Sequence, residues 1–119
     1  MAHFYLCKAD ELPEGAARGF DPRGEGCDTI FVVRKEGRLH AYRDACPHYG
    51  DTPMAWRKDA YLDGAGSRIV CSAHGAQFRI DTGVCTLGPC LGQSLTRVPL
   101  ITDASNAIFA ELQDNQGTT

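Results

Sequence analysis

Apolar and polar positions along the chain group into short segments of strand character, separated by turns and by two stretches with no period. Residues 29–34 are β-branched and aromatic between turn-forming neighbours, the composition of a buried strand. A Glu36-Gly37 step then leads into Leu39, His40, Ala41 and Tyr42, so residues 29–43 predict a β-hairpin. Residues 78–80 predict a strand that runs into a turn at Asp81-Thr82-Gly83. Residues 95–101 and 107–112 predict a closing pair of strands, and residues 115–119 a frayed tail. Residues 44–60 and 71–77 follow neither the strand nor the helix period.

Composition narrows the class. Thirteen glycines and six prolines in 119 residues favour many tight turns, hence β structure over a helix bundle. A 43% hydrophobic and 23% charged chain is ordinary globular material, which excludes disorder. Nowhere do about 18 apolar residues run together, so no membrane-spanning helix and no membrane partner are expected. The net charge of −3 argues against nucleic acid as a partner, since phosphate binding needs a basic surface. The first ten residues carry neither a basic region nor a long apolar run, so a secretory signal is absent and a cytoplasmic location is expected. In that reducing compartment six cysteines do not suggest a disulfide framework, and those grouped with histidines at short spacings are better read as metal ligands.

The candidate ligands lie in the two aperiodic stretches. Cys46-Pro47-His48 is followed, after the 22 residues 49–70, by Cys71-Ser72-Ala73-His74. Each pair puts one thiol and one imidazole within a single turn of backbone, and two ligands so near in sequence cost little extra loop entropy when both bind. Gly50 and Gly75 follow the histidines, where a loop wrapped tightly round a metal needs unusual backbone angles. Two thiolates and two imidazoles suit either zinc or a mixed-ligand iron–sulfur cluster. Zinc fingers pair Cys with Cys and His with His. Here each loop supplies one of each, which suits a two-iron cluster with sulfur on one iron and nitrogen on the other. A structural zinc site in an all-β domain stays as the alternative; it would be colourless and EPR-silent.

With C-P-H and C-x-x-H-G in place, the chain resembles the Rieske family. Phe78, Thr82-Gly83, Gly88-Pro89, Leu95 and Pro99 match that family's continuation beyond the second motif. The resemblance implies a Rieske-like antiparallel β-sandwich over residues 1–119. It implies a small cluster-binding subdomain at about 44–90, formed by two loops, with Gly88-Pro89 as a third loop near the cluster. It implies one [2Fe–2S] cluster held by Cys46, His48, Cys71 and His74. The segment between the motifs is longer than in compact members, so an insertion is expected between residues 56 and 66. Two ferric ions, two sulfides and two thiolates carry no net charge, against −2 for a four-cysteine cluster. Potentials of about −150 to +300 mV rather than about −400 mV follow.

Departures from the high-potential members place this chain toward the negative end. Their extra loop cysteines align with Asp51 and Ala73, so that bridge cannot form, and their Ser and Tyr hydroxyls align with Ala76 and Phe78. The expected role is electron transfer without catalysis: a ferredoxin carrying electrons from a reductase to a ring-hydroxylating dioxygenase or related oxygenase. The alternative role is a small subunit or accessory module of another redox enzyme, such as nitrite reductase. A chain of 119 residues leaves no room for a catalytic domain of its own. Outside the motifs, His3 and His40 read as solvated or packing residues, and Cys7 and Cys27 as buried or incidental thiols. Cys85 and Cys90, which flank Gly88-Pro89, read as structural in preference to a ligand or redox role, with a disulfide between them disfavoured in the cytoplasm. Trp56, Arg57 and Lys58 read as a surface loop with one anchoring aromatic rather than a docking patch, and Tyr49 and Pro53 as either cluster shielding or loop packing.

Overall fold

Strand β3 (Ile30–Lys35) organises the molecule, because four successive side chains on it, Ile30 to Val33, are all buried. A strand buried on both faces reads as a continuous apolar run rather than an alternating one. Phe31 and Val33 point into one core and Ile30 and Val32 into another, so β3 is a wall shared by two layers. The computed structural model describes residues 2–45, 54–55, 58–71 and 75–112.

The predicted hairpin pairs β3 with β4 (Arg38–Arg43), in register from Ile30↔Arg43 to Lys35↔Arg38. Its two-residue turn puts Glu36 at φ 54° and Gly37 at φ 76°, the left-handed pair that matches strand twist. Glu36 bears that conformation because the Glu14 carboxylate accepts both turn amides, from Glu36 and from Gly37. Those two bonds hold the Glu14 carboxyl below the usual range. Strand β2 (Ala17–Phe20) completes the sheet, on the other edge of β3.

A second sheet orders β1 (Ala2–Lys8), β9 (Ala107–Leu112) and β8 (Leu100–Thr102), all antiparallel. It packs on the Ile30/Val32 side of β3, enclosing Leu6, Leu12, Phe20, Ala41, Val98 and Ile108. The closing pair thus forms, but shorter than its apolar pattern. Pro99 carries no amide to donate, and residues 96–98 instead lie along β4 through Arg43 N–H to Thr96 O and Val98 N–H to Ala41 O, both 2.9 Å.

The third sheet orders β5 (Ile69–Cys71), β6 (Ala76–Phe78) and β7 (Cys85–Leu87). It faces the Phe31/Val33 side of β3 and buries Ile69, Cys71, Ala76, Phe78 and Cys85 there. The expected strand at 78–80 therefore begins and ends two residues earlier, and part of the expected irregular stretch 71–77 is paired. Beyond Phe78 the chain turns, with Gly83 N–H donating to Arg79 O at 2.9 Å. Among the described residues no helix is long and apolar enough to cross a membrane.

His40 lies half-buried in a cleft lined by Lys35, Arg38, Arg68 and Arg79, and its Nδ1 is buried without a partner among the described residues. Burial, and then the Arg97 charge, hold this imidazole below its ordinary pKa, with Asp81 opposing. The fold favours the neutral ring, so the unfolded chain binds more protons below about pH 6.5. The contribution is complete above that pH and declines as pH falls toward the lowered value of the folded state. Melting temperatures between pH 5 and 8 should thus fall less steeply on acidification in His40→Gln than in the wild type. Parallel profiles would refute this.

Candidate metal centre

Of the four expected ligands, Cys71 is described, and Cys46, His48 and His74 lie outside the described residues. Cys71 ends β5, wholly buried, opposite Ala76 at the start of β6. Gly75 closes the connection from the left-handed region, at φ 71°, and its N–H donates to Cys71 O at 2.8 Å. The second motif thus bridges two strands whose register is fixed on both sides, so its cysteine is anchored in a sheet and not in a free loop. Among the described residues alone, no group of three or more His, Cys, Asp or Glu is placed to hold a metal ion.

One carboxylate joins described residues on either side of the segment that carries the first motif. Asp44 follows β4, and its backbone N–H donates to Thr29 O at 2.9 Å. Its Oδ1 accepts the Met54 N–H at 2.7 Å, and its Oδ2 accepts the Tyr61 hydroxyl at 2.7 Å. Residues 45–53, which include Cys46 and His48, lie between Asp44 and Met54 in the chain. Tyr61 in turn stacks on Phe31 at 4.3 Å between ring centroids, with planes 9° apart. Burial, then the hydrogen bond to Asp44 and that carboxylate's charge, push the Tyr61 hydroxyl far above its ordinary pKa, so it stays a donor.

Asp44→Ala strands the Met54 amide and the buried Tyr61 hydroxyl, at a cost of about 2–4 kcal/mol. Tyr61→Phe, which removes one partner cleanly, should cost about 1 kcal/mol. Thermal melts of the two variants, with iron per chain measured alongside, should rank them in that order and show iron loss in Asp44→Ala. Wild-type values for Asp44→Ala would show that the carboxylate is not the tie.

Where an insertion between the motifs was expected, residues 58–70 are built onto the sheets. Leu62 bridges Ile69, and Val70 N–H donates to Tyr61 O at 2.8 Å. Lys58 Nζ reaches Gly19 O at 2.8 Å, Asp59 at 2.7 Å and Asp28 at 3.1 Å, which pins this segment to β2. Lys58 is therefore committed to the fold rather than to docking. The aromatic anchor among the described residues is Tyr61; Trp56 and Arg57 lie outside them, as do Tyr49, Asp51, Pro53 and Ala73.

The Gly88-Pro89 loop lies against the second motif's hairpin. A Cβ on Gly88 would stand 2.8 Å from Ala76 Cα, so only glycine admits this approach, and its φ of 107° is one that side chains rarely adopt. Leu87 and Leu91, either side of the loop, are 55% and 67% exposed. Ala76 and Phe78 are wholly buried and offer no hydroxyl. His3 is exposed near Glu111, far in sequence from both motifs.

A family model described as the Rieske [2Fe-2S] domain matches residues 2–103. The ferredoxin component of the alkene monooxygenase system of Xanthobacter autotrophicus is 32% identical over 78 residues, which make up 66% of this chain and 57% of that one. The chain thus spans just over half the length of that relative. The 3-phenylpropionate/cinnamic acid dioxygenase ferredoxin subunit of Photorhabdus laumondii is 29% identical over 83 residues, 70% of each chain. Among solved structures, the ferredoxin of carbazole 1,9a-dioxygenase from Nocardioides aromaticivorans superposes with a TM-score of 0.66 at 22% identity, over 92% of this chain and 99% of the other.

Proposed function

The chain belongs to the Rieske [2Fe–2S] domain family, and on that footing we propose that it is an electron carrier that takes single electrons from a reductase and delivers them to the terminal component of an oxygenase. The proposed ligands are Cys46, His48, Cys71 and His74, within a cluster-binding subdomain at about residues 44–90 of one domain. The observation that carries this reading is Cys71, a wholly buried thiol fixed opposite Ala76 in a hairpin whose connecting residues hold the second motif's histidine. Two thiols and two imidazoles are the donor set a Rieske cluster needs, so the residues fit the group. When bound, the cluster supplies a one-electron store with potentials of about −150 to +300 mV, above those of all-cysteine plant-type clusters.

The protein's own part is to hold the donors, shield them and leave an edge for contact. Sheet β5-β6-β7 holds Cys71, and Asp44 joins Met54 and Tyr61 across the segment of the first motif, which supports this reading. Both named relatives are ferredoxin components of oxygenase systems, which supports an oxygenase as the acceptor. The carrier needs no substrate pocket, and a weak, small contact with each protein partner is enough.

Iron and acid-labile sulfide in anaerobically purified protein test the reading: about two of each per chain, a red-brown colour and a rhombic EPR signal on reduction are expected. The coloured protein should also restore turnover to a ferredoxin-dependent oxygenase supplied with its reductase. Zinc without sulfide would replace the carrier by a structural metal module. Lacking hydroxyls at Ala76 and Phe78, the centre should lie toward the negative end of the Rieske range. Phe78→Tyr should raise the midpoint, on the order of 40 mV for a bond about 1 kcal/mol stronger in the reduced state. An unchanged voltammetric midpoint would remove Phe78 from that role.

A further inference from the structure

Two cysteines that electron transfer leaves unused lie side by side in the third sheet. Cys85 opens β7 and Cys90 follows the Gly88-Pro89 loop, with their Sγ atoms 3.2 Å apart. The backbone sets this approach. Gln93 accepts the Cys85 N–H at 2.8 Å through its carbonyl and donates its own N–H to Cys90 O at 2.9 Å, so one residue clamps both cysteines. A disulfide needs about 2.05 Å, so the sulfurs must close by about 1.1 Å, within reach of side-chain rotation. The pair is buried, at 2% and 0% exposure, yet residues 86–89 and 91–94 around it are all exposed. A small oxidant has one layer of loop to pass. Cys7, by contrast, lies alone in the other core, and Cys27 is exposed.

We propose that Cys85 and Cys90 form a reversible disulfide, with a hydroperoxide as oxidant. One thiolate attacks a peroxide oxygen and the O–O bond breaks, giving a sulfenic acid and, after protonation, water or an alcohol. The second thiolate then attacks the sulfenyl sulfur; the S–S bond forms and the hydroxyl leaves as water. Two electrons pass from the sulfurs to the peroxide, and an external dithiol reverses the change. The link closes the loop that holds Gly88 against Ala76, the residue paired with Cys71, so oxidation is registered at the hairpin of the second motif.

The test uses the purified holoprotein and brief hydrogen peroxide, followed by catalase, denaturation, iodoacetamide and trypsin. Arg79 and Arg97 bracket a tryptic peptide, residues 80–97, that contains both cysteines and no other cleavage site. It should emerge unalkylated and two hydrogens lighter, and return doubly alkylated after dithiothreitol. Cys90→Ser should abolish the lighter species. Cys27, being exposed, serves as an internal gauge of oxidation when its sulfenic acid is trapped by dimedone. If Cys27 has reacted while the 80–97 peptide is still doubly alkylated, or carries sulfinic acid without a link, the proposal falls. Iron content does not enter this readout, so failure of the carrier reading would be seen separately.

Discussion

Replacing Cys71 with alanine is expected to give a folded, colourless chain that retains less than about a tenth of the wild-type iron and sulfide. The expectation follows from where the side chain is held. Cys71 is wholly buried at the end of β5, paired with Ala76, and the sheet fixes its backbone whether or not a metal is bound. Removing one sulfur from a packed core costs about 1–2 kcal/mol, small against the roughly 5–15 kcal/mol that stabilises a typical domain. The fold should survive; a site short of one of two thiolates should not. Cys7→Ala is the matched control. It removes the same atom from an equally buried position, 2% exposed, but in the core on the opposite side of β3. Far-UV circular dichroism should be alike for both variants, and iron should fall only in Cys71→Ala. Full iron in Cys71→Ala, or equal loss in Cys7→Ala, would remove Cys71 from the ligand set.

The parts of this architecture that could be read from the sequence are those whose cause is local. The β3–β4 hairpin was legible because a β-branched run and a Glu-Gly turn lie within 15 residues of each other. The two Cys/His pairs stand out in the sequence because ligand spacing is itself a sequence property, and their part in holding a metal is what the Cys71 variant tests. Strands β5 and β7 were not legible, and β6 was expected two residues late, because each is three residues long, too short for a period to register, and they exist by pairing around the second motif. β1 was hidden by its bulge: the register slips between Tyr5 and Cys7, so the apolar alternation changes phase mid-strand. β2 is four residues, one of them Gly19, where a Cβ would collide with the Asp28 carboxylate and the Tyr61 hydroxyl. Asp44 was invisible for another reason. Its partners Met54 and Tyr61 lie 10 and 17 residues away, and no local pattern marks a carboxylate that spans such distances. The Gly88 approach to Ala76 is legible only by resemblance, since the glycine's necessity lies in a contact twelve residues back.

That contact makes Gly88→Ala a damaging single-methyl change beside the hairpin of the second motif. Two costs add. A side chain at φ 107° is strained, by about 1–3 kcal/mol, and the new Cβ would meet Ala76 Cα at 2.8 Å and Ala76 Cβ at 3.1 Å, an overpacking worth about 1–3 kcal/mol more. Ala76 cannot retreat, because it is locked in register with Cys71 on one side and lies in the core on the other. The loop must therefore lift, and with it the cover over the hairpin of the second motif. Gly92→Ala separates the two costs: Gly92 also has a positive φ, 89°, but an added Cβ there meets nothing within 4 Å. Gly88→Ala should lower the melting temperature by at least about 10 °C. It should also speed bleaching of the visible colour at a fixed temperature, and Gly92→Ala should show only the smaller, strain-derived part. Equal shifts in the two variants would mean that the backbone angle alone matters and that the loop does not press on Ala76.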